Sequence, residues 1–454
     1  VRHPLALLLL AGCAGDADGR RGWLVDLLVD DNAPWYTRDT SLLATKYDRM
    51  DERLYDFMRG TLTLYLADVS RPGTDRTRTS VLTDPNSASV LLLADPHPEN
   101  VGVFWPEGEP RLDFNDLDGV AHGPWTLDLR RAALGLGTLV WDQPRCDDAC
   151  RADIVLALVA GYRSGIAGEA PVEDGRAVQR LLDEASEEGD ARKRFRENTT
   201  GTSAGRRFLR DDALDATGRG HLDPTDDEAQ QIRVLADQLA ARLPGFRLHD
   251  AVRRYGRGIA SLPARRYLLL YDFGEDGSAD DRILEAREAV DTAALPGLLA
   301  PVPGLLDDPV ARIEQSSRYV WATDNDPMRL GLADGAMTFR TASWSSYLQG
   351  FDHEKIAEDL ADRQTSPASL RRLADRIGHL LGSAHVRGPS AAGLSSAEVL
   401  AAELADADGL EAEVLATAED DLARLVRDHQ LFQSALDDLG PLLGAERVYP
   451  ELSE

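Results

Sequence analysis

The stretch Ala94-Asp95-Pro96-His97-Pro98-Glu99-Asn100, followed shortly by Asp113-Phe114-Asn115-Asp116-Leu117-Asp118, decides how the chain is read. An Asp with an Asn five residues on, then a strand turn, then a second Asp before Phe, is the pattern of phosphoryl-transfer loops. The pattern divides the labour. Asp95 is expected to accept the proton of an attacking hydroxyl, while Asn100 and Asp113 hold Mg²⁺ on nucleotide phosphates. Val101 to Phe104 and Arg111 to Phe114 read as short strands joined by the turn Pro106-Glu107-Gly108-Glu109-Pro110. That hairpin would set the loop beside Asp113. Hard oxygen donors without Cys suit Mg²⁺ better than zinc.

Two rival readings concern the same residues. Asp95-Pro96-His97 is also a D-x-H, as in metallophosphoesterases, but that chemistry needs further spaced ligands and the nine His are mostly isolated. Acidic turns between strands are also common, and D-x-x-x-x-N alone says little. The following Gly123-Pro124-Trp125-Thr126-Leu127-Asp128-Leu129 adds weight to the first reading. His97 is expected either to contact phosphate or metal or to hold the loop by a hydrogen bond. Asp116 and Asp118 are either acids lying one layer out from the metal or ordinary turn residues. Asp128 is expected to fix the loop backbone rather than to act chemically. Arg59 reads as a structural ion pair or as a contact for a substrate anion.

The 454 residues carry 50 Lys+Arg against 78 Asp+Glu, a formal charge of −28. Such an acid excess argues against a nucleic-acid partner, since phosphate backbones need clustered cations. Lys46, Lys193 and Lys355 are the only lysines, so chemistry that needs a Lys has three candidates. The length suggests two or three domains, or one large two-lobed unit.

At the start, Val1-Arg2-His3 precedes the apolar Leu5 to Leu10, and Leu10-Ala11-Gly12-Cys13 resembles a bacterial lipobox. Residues 1–13 are therefore expected to be a lipoprotein signal ending at a lipidated Cys13, and 14–36 a polar tether. That places the protein in the cell envelope, periplasmic or outer-membrane, held by lipid alone; a fortuitous lipobox would make it cytoplasmic. Cys146 and Cys150, in a C-x3-C without further ligands nearby, make a poor zinc pattern and are either a small disulfide or two free thiols.

No repeat is visible. Apolar spacing predicts one or two helices over Thr40 to Asp68, a strand at Ser89 to Leu93, and helices at Trp125 to Val140 and Ala149 to Gly165. Strands are expected at Arg266 to Asp272, Arg282 to Arg287, Met328 to Leu332 and Ala336 to Thr341, and helices over Asp352 to Leu443. The order is α+β, with two β regions far apart in sequence. Domain boundaries are expected at 37–245 for a helical lobe with the loop, 246–345 for a β-rich region, and 346–454 for helices completing the lobe.

These residues carry a resemblance. Ala94 to Asn100 looks like the A-D-P-H-P-G-N loop of UbiB-like atypical kinases and the related loop of aminoglycoside phosphotransferases. More closely, the chain resembles the bacterial "domain of unknown function 2252" family (DUF2252). The matching stretches are Lys46 to Met50, Phe57 to Gly60, Asp95 to Phe104 and Asp113 to Arg131, with Arg266 to Ala289 and Gly378 to Arg387 matching more loosely. The resemblance implies a protein-kinase-like two-lobed fold with ATP and Mg²⁺ as ligands and an unidentified acceptor. The order of parts is unusual, because the Gly-rich candidate Tyr255-Gly256-Arg257-Gly258-Ile259-Ala260-Ser261 follows the catalytic loop. A circular permutation is inferred, with catalytic core first, N-lobe sheet second and remaining helices last. Within that scheme Gly256, Gly258 and Ser261 would cover the phosphates. Arg287 stands where the resemblance expects Lys, and Glu314 would pair with it or simply lie on a solvated helix face. Arg keeps the charge but is not interchangeable with Lys at a tight site. A catalytically silent envelope binding module is the alternative from another class.

Overall fold

Tyr267-Leu268-Leu269-Leu270-Tyr271 is apolar at every position, and the strand it forms is buried on both faces. Tyr267, Leu269 and Tyr271 point into one hydrophobic cluster, Leu268 and Leu270 into another, as the two-residue period of a strand requires. A computed structural model describes residues 14–70, 88–105, 108–186, 195–201, 205–274, 281–289, 308–344, 347–388 and 397–449. Cys13 and Lys193 lie outside the described residues.

In chain order, α1 (Ala14–Asp31), α2 (Ala33–Tyr36), α3 (Thr40–Glu52), α4 (Leu54–Gly60) and α5 (Leu62–Ser70) precede β1 (Ser89–Leu92). The hairpin β2 (Val101–Phe104) and β3 (Arg111–Phe114) follows, then β4 (Ala121–Pro124), α6 (Thr126–Leu139), α7 (Asp148–Ile166) and α8 (Arg176–Ser186). Next come β5 (Thr199–Thr200), β6 (Arg207–Phe208), β7 (Gly220–Leu222), α9 (Asp226–Arg242), β8 (Arg247–Tyr255), β9 (Arg266–Asp272) and β10 (Arg282–Ala289). After α10 (Pro309–Val320), β11 (Gly331–Asp334), β12 (Met337–Ser343) and β13 (Tyr347–Gly350), the described chain is helical. Its elements there are α11 (His353–Ala361), α12 (Pro367–Arg387), α13 (Ala397–Glu403) and α14 (Ala407–Leu439). The architecture is α+β.

The six-stranded sheet runs β11-β12-β10-β9-β8-β7, antiparallel throughout. Helix α9, started by a Thr225/Glu228 capping box, covers one face with Ile232, Leu235 and Leu239. The sheet unit thus begins upstream of the expected boundary at 246, with β7 and α9. At its other end β13 leaves the sheet and pairs with β2, so β13-β2-β3 is a separate three-stranded sheet. Two further antiparallel pairs, β1 with β4 and β5 with β6, stand apart from these sheets.

The largest core belongs to the helices. Residues 14–31, expected to be tether, are helical because Leu24, Val25, Leu28 and Val29 fall on one face and bury against that core. Helices α7 and α12 touch backbone to backbone. A Cβ on Gly161 would lie 1.9 Å from the Asp375 carbonyl oxygen, and one on Gly378 2.1 Å from that of Leu158. This close approach carries His385, near the end of α12, under the Ala94–Asn100 loop. Cys146 and Cys150 form a disulfide at the start of α7.

Candidate functional site

The loop after β1 is held by a helix rather than by its own turns. Asp128, fully buried in the first turn of α6, accepts hydrogen bonds from the backbone N–H of Leu93 at 2.6 Å and of Ala94 at 3.0 Å. His385 Nε2 lies 3.2 Å from the same carboxylate. Ala94 sits at φ 69°, a left-handed conformation that costs an L-residue about 1 kcal/mol, and the two bonds from Asp128 hold it there. Asp128 thus fixes the backbone where the loop begins.

Beyond that bend, Asp95 accepts from Arg131 Nε at 2.7 Å, and Arg131 also donates to the Met58 carbonyl at 2.8 Å. Asn100 turns its amide nitrogen back to the Asp95 carbonyl at 2.8 Å. His97 lies 3.6 Å from Asp95, beyond hydrogen-bond reach, and burial pushes its pKa down to about 4, so it is a neutral group here. Glu99 is held at about 2, because Arg59 and His353 outweigh the cost of its burial. Arg59, read either way from sequence, makes that ion pair at 2.8 Å.

The hairpin register sets Gly102 opposite Asp113 and Val101 opposite Phe114, and the Asn115 N–H donates to the Asn100 carbonyl at 3.0 Å. The hairpin thus brings the end of the loop at Asn100 alongside the strand that carries Asp113. Asp113 is buried; its oxygens accept from the Phe114 N–H at 2.9 Å and from Asn325 Nδ2 at 3.0 Å. Burial pushes its pKa up to about 6, against the opposing pull of these bonds and of Arg387. A carboxylate desolvated in this way, with no cation salt-bridged to it among the described residues, and a neighbouring amide suit a hard divalent ion such as Mg²⁺. Mg²⁺ takes one or two protein oxygens and completes its shell with water and phosphate. Among the described residues, the groups of His, Asp and Glu whose ligand atoms already lie within 4.8 Å of one another are elsewhere: Glu99, Asp352 and His353, and His249, Asp272 and Asp281.

Arg287, on β10, donates through Nη2 to Asp116 at 2.7 Å and also to Asp118. Asp118 in addition accepts from Arg329 at 3.2 Å and pairs with Arg340 at 3.0 Å. Burial would raise the pKa of Asp118, but Arg340, Arg287 and Arg329 outweigh it and hold the acid far below the usual carboxylate range. The six-stranded sheet thus stands against the loop that follows β3. The expected partnership of Arg287 with Glu314 is not formed. Glu314, on α10, pairs instead with Arg242 at 2.7 Å and accepts the Gly331 N–H at 3.0 Å. It thereby ties α10 to α9 and the sheet edge.

The glycine turn lies at the junction of both parts. Gly256 and Gly258 have φ of 72° and 75°, and a Cβ on Gly256 would fall 2.6 Å from the Gly218 carbonyl oxygen. Arg49, from α3, donates to the Gly256 carbonyl at 3.2 Å, and Ile259 buries in the helical core beside Gly60. Ser261 accompanies the turn; its Oγ would be 3.1 Å from a Cβ on Gly258. Sequence reasoning did not single out Arg131, Asn325, Arg329 or Arg340. Arg131 lay within the quoted 113–131 stretch, three residues after Asp128 on the same helix face, which was the available signal. The other three had none, since only the folded chain brings 325–340 to Asp113 and Asp118.

No curated protein and no solved structure shows a significant match to the chain. One family model does, over residues 38–435, and it spans the loop, the hairpin, the glycine turn and the strand carrying Arg287. By that match the chain belongs to the family described as "Uncharacterized protein conserved in bacteria (DUF2252)".

Proposed function

We propose that the chain is a kinase-like phosphotransferase that binds ATP with Mg²⁺ and passes a phosphoryl group to an acceptor hydroxyl. Its fold would be the two-lobed kinase kind in permuted order: catalytic core, then sheet, then closing helices. The observation that carries this reading is the contact of Arg287 with Asp116 and Asp118. It sets a sheet built as strand, glycine turn, strand, cation-bearing strand and helix against the segment just after Asp113, and the β2–β3 hairpin joins Asp113 to the Asp95–Asn100 loop. Those are the working parts of phosphoryl transfer in the order a permutation would give.

In this reading Asp113 and Asn100 would hold Mg²⁺, which when bound neutralises charge on the phosphates. Asp95, oriented by Arg131, accepts the proton as the acceptor oxygen bonds to phosphorus and the diphosphate leaves. The Gly256–Ser261 turn offers backbone N–H groups to phosphate oxygens. The extracytoplasmic placement expected from Cys13, with lipid as the only membrane attachment, belongs to the same proposal. A second reading, a silent binding module, is favoured by two pairings. Arg287 is engaged by carboxylates, and Glu314 is committed to Arg242.

Calorimetric titration of the full chain with ATP, with and without Mg²⁺, tests both. Mg²⁺-dependent binding that disappears in Asp113→Ala, accompanied by ATP turnover, is the expected result. Binding without turnover selects the silent module, and absence of any nucleotide binding overturns the proposal.

A further inference from the structure

Like charges directly opposite one another on neighbouring strands repel, so a row of them needs a reason. The pairing register puts Arg266 opposite Arg287 and Arg287 opposite Arg340, across β9, β10 and β12. Extending the β8–β9 ladder one residue beyond its Arg253–Tyr267 pair sets Arg254 opposite Arg266. Four arginines therefore stand in line on the face of the sheet turned away from α9. At about 4.8 Å per strand the row is about 14 Å long.

The two ends of the row are compensated differently. Arg287 and Arg340 meet Asp118, and Arg287 also meets Asp116. Among the described residues Arg254 and Arg266 share one carboxylate, Glu285, at 2.5 Å and 3.6 Å. For Arg266 the 3.6 Å contact is too long for a hydrogen bond. Burial pushes its pKa down to about 9, and Arg287, Arg254 and Arg340 add to that effect against Glu285. Arg254 has a buried Nε without a partner, and Trp344 covers its guanidinium at 4.5 Å.

Open space meets this under-compensated end. A Cβ on Gly258 would lie only 3.8 Å from Arg266 Nη2, so the bare glycine turn lies over that guanidinium. On the other side Arg254 lines a cavity of about 310 Å³ with Arg219, Arg257, His221 and Tyr255, and with Asp211 and Asp215 at its wall.

We infer that Arg254 and Arg266, beneath the Gly256–Ser261 turn, form the subsite that grips the ligand's phosphate chain, and that Arg287 instead fastens the sheet to Asp116 and Asp118. The inference deepens the phosphotransferase reading and rests on it. Two planar guanidiniums sharing one carboxylate leave fork-shaped donors unfilled, which a phosphate group matches in shape and charge. The grip needs no metal, so it would take inorganic polyphosphate as well as the phosphates of a nucleotide.

The test is calorimetric titration of the full chain with inorganic tripolyphosphate in metal-free buffer, and separately with ATP and Mg²⁺. The wild type is expected to bind both. Arg266→Gln and Arg254→Gln should each weaken tripolyphosphate binding about tenfold or more, as loss of charge-assisted hydrogen bonds requires. Arg266→Lys, which keeps the charge and a folded sheet, should weaken it several-fold. Arg371→Gln, on the surface of α12, should change nothing. If the wild type binds ATP with Mg²⁺ but not tripolyphosphate, or if the folded Arg266 variants bind it unchanged, this inference falls and the broader reading stands. An equal loss in Arg371→Gln, which marks nonspecific attraction, also overturns it. If neither ligand binds, both fall together.

Discussion

Arg287 Nη2 and Asp116 Oδ1 are 2.7 Å apart across 171 residues of sequence. With Asp118 they fasten the six-stranded sheet to the segment that follows β3. The linkage is buried on the Asp118 side, where Arg287, Arg329 and Arg340 converge on one carboxylate. Asp118→Asn would leave three guanidiniums desolvated without their common counter-charge, and breaking a buried pair in this way costs about 3–5 kcal/mol. Asp116 is 29% exposed, so Asp116→Asn should cost well under half as much. Urea denaturation of the two variants measures the difference. Equal losses would mean that Asp118 is not the hub.

The Ala94 bend makes a second expectation. Asp128→Ala removes the acceptor of two buried backbone N–H groups, each worth about 1–3 kcal/mol when left unsatisfied. The variant should therefore lose about 2–6 kcal/mol and, by releasing Asp95, any ATP turnover. Ala94→Gly should be tolerated, since glycine adopts the φ of 69° without penalty, whereas Ala94→Val should destabilise more than either parent residue. Thermal melts of the three variants order them, and a melt of Ala94→Val at the wild-type temperature would contradict the account.

Legibility in the sequence followed the range of the interactions. The hairpin, Arg266 to Asp272 with its partner Arg282 to Arg287, and the helices between Asp352 and Leu443 were readable because period and turn residues are local signals. Asp128 stands in the first turn of its helix, and the fold uses its carboxylate on the backbone of Leu93 and Ala94. The helix over 14–31 was missed because Gly15 to Gly22 is polar, and its apolar face, from Leu24 on, becomes evident only against the core it packs on. For Glu314 the sequence left a pairing with Arg287 or a solvated helix face open, and tertiary geometry gave it Arg242 and the Gly331 N–H instead. The arginine row was invisible for a further reason. Arg254, Arg266, Arg287 and Arg340 are each ordinary strand residues, and only the register aligns them.

The Cys146–Cys150 disulfide closes a very short loop, so its entropic effect is small, below about 2 kcal/mol. Replacing both residues by Ser should lower the midpoint of thermal unfolding only slightly and leave ATP and tripolyphosphate binding unchanged. Alkylation of the unreduced, denatured chain followed by mass spectrometry should find neither thiol reactive. Alkylated Cys146 or Cys150 would show that the pair is reduced in the purified protein.

Asp113 sets stability against function in a way that pH can separate. Its pKa is about 6 when folded and near the ordinary aspartate value of 3.8 when unfolded. The folded state thus binds its proton more tightly. This contribution favours folding fully below about pH 4 and is lost as pH rises through about 6. Asp113→Asn never ionises and escapes that loss. The full shift corresponds to about 3 kcal/mol, and the amide can accept only one of the bonds from Phe114 and Asn325, which takes back about 1 kcal/mol. The variant should therefore be more stable than the wild type by about 1–2 kcal/mol near pH 8, and the advantage should vanish near pH 4. In the same variant Mg²⁺-dependent nucleotide binding should be lost, because the hard anionic oxygen is gone. Denaturation across this pH range reads the first effect and calorimetry the second. A stability difference independent of pH would mean that Asp113 is not a strained carboxylate, and unaltered Mg²⁺ dependence would remove it from the metal site.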